Sequence, residues 1–268
     1  MIIENIKQEK KIGENKRIEI LGVKVDVLNV QETIDLVNKY IKSKTPLHLM
    51  GVNADKINEA QNNPKLMEII NKCGVINADG ASIILASQYL NTPLPERVAG
   101  IDLMQDLVNL SEKNNYSIYL LGAKEEVVQK TKDVLMEKYP KLNICGVKNG
   151  YFTDDEWYNI ADDIKKVNPD IVFVGITSPK KEYLIEFLQN QGISAVMMGV
   201  GGSFDVISGF IKRAPKWMQK CNLEWLFRVI QEPKRLFKRY FVGNIVFIKA
   251  IKKEKKRLKK VKNYEENN

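Results

Sequence analysis

The chain has 268 residues, of which 44% are hydrophobic and 28% charged; that length admits one α/β domain with an addition, and that composition excludes a wholly disordered chain. Its formal charge of +9 is unevenly placed: residues 1–210 carry 24 Lys and Arg against 28 Asp and Glu, whereas residues 211–268 carry 18 against 5. Three cysteines without a CxxC spacing, one histidine and the lack of any run of about 18 apolar residues exclude a zinc finger, a disulfide scaffold and a membrane-spanning helix, and point to a reducing, cytoplasmic setting.

The first sixteen residues, MIIENIKQEKKIGENK, alternate charge too densely for a secretory signal. Ile18 to Leu28 then alternates around Gly22 as a short β-hairpin. Apolar runs bounded by turn residues recur at 47–52, 75–78, 117–121, 142–147, 171–174 and 195–200, each the length of a buried strand. Between most of them lie helix-length stretches such as 125–138, 154–167 and 179–191. This alternation predicts an α/β fold, a Rossmann-like, doubly wound and mainly parallel sheet with helices on both faces, over residues 1–210. From about Ile211 the pattern changes to Arg, Lys and aromatics, a basic helical appendage over 211–268 that Pro233 divides into two helices.

In such sheets ligands bind beyond the carboxyl ends of the strands, which singles out Asn53, Asp79, Gly122, the turn 175–178 and the turn 201–205. In VINADGASII, Asp79 follows a strand and precedes a helix, so it either caps that helix or serves as a base. GVGGSFDVISG, residues 199–209, places glycines where a backbone must approach a ligand, as around a nucleotide diphosphate. It matches neither GxGxxG with a downstream carboxylate nor GxxxxGK[ST], which argues against NAD and against a P-loop. His48 falls inside a strand and is expected to be buried and non-catalytic; Asp154–Asp155 and Asp162–Asp163 fall on helical stretches as solvated charges. With no metal ligands after the strands, a departing diphosphate must be balanced by Arg or Lys. The appendage mixes Trp217, Trp225, Phe237, Phe241 and Phe247 with Arg228, Arg235, Arg239 and Lys249, the composition of an interfacial membrane binder. Nucleic acid competes for such charge but would not bury the apolar side.

Taken in order, the Asn53 turn, NADG at 77–80, ERVAG at 96–100, LLGA at 120–123, GYF at 150–152, PKKE at 179–182, GGSFD at 201–205, RAP at 213–215 and EWLFR at 224–228 resemble the WecG/TagA/CpsF family of glycosyltransferases. The resemblance implies inverting, metal-independent and cofactor-free transfer of an N-acetylhexosamine, typically N-acetylmannosamine, from its UDP form. The acceptor it implies is undecaprenyl-diphosphate-N-acetylglucosamine, in wall teichoic acid or related cell-surface polysaccharide synthesis. It makes Asp79 the base and the appendage both a source of active-site arginines and an attachment to the inner face of the cell membrane. On this reading Arg97, Arg228 and Arg235 balance the leaving UDP, Asn53 positions a sugar, Gly201 and Gly202 admit the diphosphate, and Asp205 hydrogen-bonds the nucleoside. Lys181 is a further diphosphate contact. Two positions depart from the family: Gly51-Val52-Asn53 stands where Thr-x-Asn is usual, and Lys181 where PKQE is usual, which leaves a different UDP-sugar as the alternative. A nucleotide-sugar-modifying enzyme that uses NAD, a scaffold binding membrane or nucleic acid, and self-association of the chain remain open beside it.

Overall fold

The structure is a computed structural model that describes Gly13 and residues 15–265; most of the charged start lies outside the described residues. Strands β1 (Arg17–Ile20) and β2 (Val23–Asp26) form the expected hairpin. Its two-residue loop has positive φ at both Leu21 and Gly22, the twist that suits a tight hairpin. Helix α1 (Val30–Lys42) begins in a reciprocal cap between Asn29 and Glu32. Then follow β3 (Leu47–Val52), α2 (Ala54–Gln61), α3 (Pro64–Lys72), β4 (Val75–Ala78), α4 (Ala81–Tyr89), α5 (Gly100–Asn114), β5 (Ser117–Gly122) and α6 (Glu125–Lys138). The α/β part closes with β6 (Asn143–Lys148), α7 (Trp157–Val167), β7 (Ile171–Gly175), α8 (Lys180–Asn190), β8 (Val196–Gly199) and α9 (Ser203–Ile207).

Six strands form one all-parallel sheet in the order β4-β3-β8-β7-β5-β6. The Rossmann-like expectation is met, because strands buried on both faces read as unbroken apolar runs. Alternate residues feed opposite layers: Leu47 and Leu49 of β3 join α1, α5 and α6 in one core, while Met50 and Val52 join the hairpin, α2 and α3 in another. A third cluster packs Val172 and Val174 of β7 against α7 and α8. The chain runs from β3 outward to β4, crosses to β5, and later returns through β7 and β8 to the flank of β3. That reversal opens a crevice at the carboxyl ends of β4, β3 and β8.

The C-terminal segment departs from the two-helix expectation. It comprises α10 (Lys216–Lys220), α11 (Glu224–Gln231), α12 (Pro233–Phe237), a π-helical turn over 238–242, and α13 (Gly243–Glu265). Pro233 does open a helix, at the first position of α12. The further breaks come from Asn222, at φ 59°, and from the π turn before Gly243, neither of which composition announces. Helix α13 also differs from a purely lipid-facing segment: Phe247 and Ile251, one turn apart, are buried in the core cluster of α2 and α4. Asn58 of α2 donates to the Gly243 carbonyl at 2.8 Å, and the Lys255 ammonium lies over the Tyr89 ring of α4. The opposite side of α13 leaves Ile245, Val246 and Ile248 exposed among Lys249, Lys252 and Lys253. Among the described residues no helix is long and apolar enough to cross a membrane.

Candidate active site

Asp79 leaves the end of β4 with its backbone N–H donating to the Val52 carbonyl of β3 at 2.9 Å. Its side chain does not cap the helix that follows: the N-cap of α4 is Gly80, without a side-chain bond. Instead Asp79 Oδ1 accepts the N–H of Gly100, at the start of α5, at 2.9 Å. The carboxylate is thus oriented from a second helix, and among the described residues no hydrogen bond reaches Oδ2. Glycines leave room around it. A Cβ at Gly51 would come within 3.2 Å of Asp79 Cβ, so any side chain at this position would press on Asp79, which would have to give by a few tenths of an ångström. A Cβ at Gly80 would approach Asn53 Cβ to 2.9 Å, which explains the glycine of NADG: the turns after β3 and β4 touch there. Asn53 itself caps α2, its side chain accepting the Lys56 N–H at 2.9 Å.

Across the crevice, the turn after β8 passes through Gly201, at φ 51°, and Gly202. A Cβ on Gly202 would lie 3.4 Å from Arg228 Nη1 and 3.5 Å from Asp205 Oδ2, so Gly202, Asp205 and Arg228 of α11 share one wall. At the end of β8 lies Lys181, buried in the first turn of α8, its aliphatic stem against the backbone of Gly199, where a Cβ would sit only 2.5 Å from Lys181 Cε. Lys181 Nζ is 3.5 Å from Glu182 Oε1, which also accepts Lys56 Nζ at 2.8 Å. Lys56 in turn donates to Met50 Sδ at 3.1 Å.

Burial pushes the Lys181 ammonium down to about 8, reinforced by Lys56 and opposed by Glu182 and, more weakly, Asp79. Burial alone would raise the Glu182 carboxyl, but the two lysines outweigh it and hold it below the usual range. His48 is buried in β3 as expected, and burial pushes its imidazole down to about 3, so it stays neutral at physiological pH.

Arg97 reaches between the walls. Its Nε donates to the Asp79 carbonyl at 2.7 Å and its Nη2 pairs with Glu224 Oε2 of α11 at 2.9 Å. Glu224 also takes Arg213 Nε at 3.2 Å, and Arg213 forms a two-pronged pair with Asp102 of α5 at 2.7 Å on each side. The segment after residue 210 is therefore clasped to the end of β4 and the start of α5. The backbone of Arg235 lies in α12, while its side chain lies outside what the structure describes.

The structure thus gathers Asn53, Asp79 and Arg97 on one wall and Gly201, Gly202, Asp205 and Arg228 on the other, with Lys181 packed on Gly199 at the end of β8. Sequence reasoning missed Lys56, Glu182, Arg213, Glu224 and the Gly100 N–H. Glu182, Arg213 and Glu224 stood inside PKKE, RAP and EWLFR, but nothing in a linear sequence pairs Lys56 with a residue 126 positions away.

A carboxylate at the carboxyl end of a strand, with Arg97 beside it and Arg228 at the neighbouring glycine turn, suits transfer of a group away from an anionic leaving group. Residues 18–261 match the model of the glycosyl transferase WecG/TagA/CpsF family, and the chain belongs to that family: it is a glycosyltransferase. It is 34% identical, over 92% of its own length and 96% of the relative's, to the N-acetylglucosaminyldiphosphoundecaprenol N-acetyl-beta-D-mannosaminyltransferase of Staphylococcus aureus strain MW2. The proteins of the same name from strains NCTC 8325 and MRSA252 are 34% and 33% identical over the same coverage.

Proposed function

We propose that the protein moves N-acetylmannosamine from its UDP form onto undecaprenyl-diphosphate-linked N-acetylglucosamine, with inversion and without a metal, in the synthesis of wall teichoic acid or a related cell-surface polysaccharide. The observation that carries this reading is the Asp79 carboxylate at the carboxyl end of β4, oriented through Oδ1 by the Gly100 N–H, with Arg97 on its backbone carbonyl. The acceptor hydroxyl attacks the donor's anomeric carbon from the face opposite UDP, and Asp79 takes its proton. The bond to the diphosphate breaks with its electron pair on UDP, whose charge Arg228 and Lys181 balance. Gly201 and Gly202 admit the diphosphate, Asp205 holds the nucleoside, and Asn53 positions a sugar. Arg97 serves by fixing the Asp79 backbone to α11, and Arg235 joins the cations on the strength of the family resemblance. The exposed apolar side of α13, flanked by lysines, suits an anionic lipid surface on the cytoplasmic side of the membrane.

Asp79→Asn tests the reading. We expect transfer to fall by about 10²–10⁴-fold, with UDP binding and thermal melting retained. An active, well-folded Asp79→Asn protein would leave the carboxylate as nothing more than a cap for α5. Transfer is expected to persist in chelator; a strict requirement for added magnesium or manganese would replace the cation wall with a metal. A second donor sugar is favoured by Gly51 and Lys181, which alter the room and charge beside Asp79. A panel of UDP-sugars with a short-chain lipid-linked acceptor, read by mass spectrometry, distinguishes the two.

A further inference from the structure

Lys181 stands out among the buried groups. Its side chain is 9% exposed, yet among the described residues its ion pair is with Glu182 Oε1 at 3.5 Å, beyond the 2.7–2.9 Å typical of a charge-assisted bond. That oxygen already holds Lys56 at 2.8 Å. Glu182 Oε2, fully buried, has no hydrogen-bond partner. One carboxylate thus serves two ammoniums, and Lys181, the less closely paired of them, keeps hydrogen-bonding capacity for a further anion.

Strand register shows where that anion would come from. Val196, Met197 and Met198 of β8 lie beside Leu47, His48 and Leu49 of β3, which sets Gly199 level with Met50. Gly51 in turn pairs with Asn77, two residues before Asp79. Gly199 therefore faces the layer of Met50, and Gly51 with Asp79 the opposite one; Lys181 meets the carboxyl edge of the sheet at Gly199, two residues before the Gly201–Gly202 turn and near enough to Asp79 to feel its charge. The charged and titratable groups around Lys181 are Lys56 and Glu59 from α2, Glu182 from α8 itself, His48 from β3 and Asp79 after β4. The β8 side presents only the Gly199 backbone. His48 is neutral, and Glu59 is turned to Ser178. The charge on Lys181 is therefore governed chiefly by Lys56, which repels it, and Glu182, which attracts it.

We infer that Lys56 and Glu182 are positioning residues for the donor: a buried pair that presents the Lys181 ammonium to the donor's diphosphate and sets the pH range over which it does so. This rests on the proposal that the donor carries a diphosphate and lies in this crevice. The arrangement makes a prediction that a merely structural salt bridge does not. Removing the charge of Lys56 removes a repulsion, so Lys181 keeps its proton to higher pH. Removing the charge of Glu182 removes an attraction, so Lys181 loses its proton at lower pH. Two partners of one ion pair should thus move the same property in opposite directions.

The test is calorimetric titration of the full chain with UDP between pH 6.5 and 9.5, each variant compared with the unaltered protein at the same pH so that the ionisation of UDP cancels. We expect the unaltered protein to lose UDP affinity, by about tenfold, as pH rises through about 8. Lys181→Gln should bind more weakly at pH 7 and show no such fall. Lys56→Met should carry the fall to higher pH, and Glu182→Gln to lower pH. Shifts in the same direction for both partners, or a ratio of affinities between the unaltered protein and Lys181→Gln that stays constant across this range, would overturn the inference. UDP that fails to bind at any pH would instead remove the donor reading, and this inference with it.

Discussion

All five residues of β7 are buried, whereas only Val229 is buried among the eight of α11. The sheet and the C-terminal segment are thus held by opposite means. Strands in the middle of the sheet are fixed by apolar contact on both faces, which salt and pH barely touch. The segment after residue 210 is held by the clasp of Arg97, Asp102, Arg213 and Glu224 and by a narrow apolar seam at Phe247 and Ile251. Partly exposed ion pairs are screened by salt and are worth little singly. The molecule is therefore firm where the turns after the strands are set and yielding where α11 meets them.

The harshest way to break this contrast is Phe247→Ala. If α13 is part of the folded body, chemical denaturation should show a loss of about 3 kcal/mol; an unchanged midpoint would make α13 a detachable tail. Truncation after Arg239, which removes Phe247 and Ile251, should act in the same direction. Next in size is Glu224→Ala, which leaves Arg97 without its α11 partner and Arg213 with Asp102 alone. A loss of about 1–3 kcal/mol is expected, with slower transfer even to a soluble short-chain acceptor and a steeper dependence on salt; unaltered kinetics would mean that Arg228 reaches the crevice without the clasp.

Lys181→Met sharpens the comparison from the other side, because it removes a buried charge from the firm part. It should stabilise the protein by about 1–2 kcal/mol at neutral pH while impairing transfer. An unfolded lysine keeps its proton to about 10.5 and this folded one to about 8, so the unaltered protein bears the cost of the buried ammonium in full below about 8. That cost is relieved as pH rises from about 8 to 10.5, and the advantage of methionine should shrink over the same interval. A gain that grows with pH would contradict the assignment. The smallest expected change in stability, within about 0.5 kcal/mol, is that of Ile248→Ser on the exposed side of α13. Its effect should appear instead as weaker flotation with anionic vesicles; unchanged flotation would move the membrane contact elsewhere.

How far the sequence speaks follows the same division. Central strands announce themselves because double burial demands unbroken apolar runs, and each expected run lies within a residue or two of its strand. Asp79 was visible because it directly follows a buried strand, at the carboxyl end where ligands bind, although a cap for the next helix suited that position as well. Its alternatives were open because the helix it contacts begins at Gly100, and a hydrogen bond across 21 residues leaves no local trace. The breaks at Asn222 and at the π turn were hidden because Arg, Lys and aromatics suit a helix equally well on either side of them. Lys181 was noticed as an added charge, but its burial depends on α8 lying over Gly199 and was illegible.

The chain's one imidazole sits beside Lys56, Glu182 and Lys181 and is pushed down to about 3. Its ring therefore stays in one protonation state throughout the working range, and its proton resonance would be the only one of its kind in the spectrum. Any drift of that signal with pH or on adding UDP would report charge changing on its neighbours and not on itself. The ring is a single-site spectroscopic electrometer within the sheet beside the Lys56–Glu182 pair, readable without label or substitution.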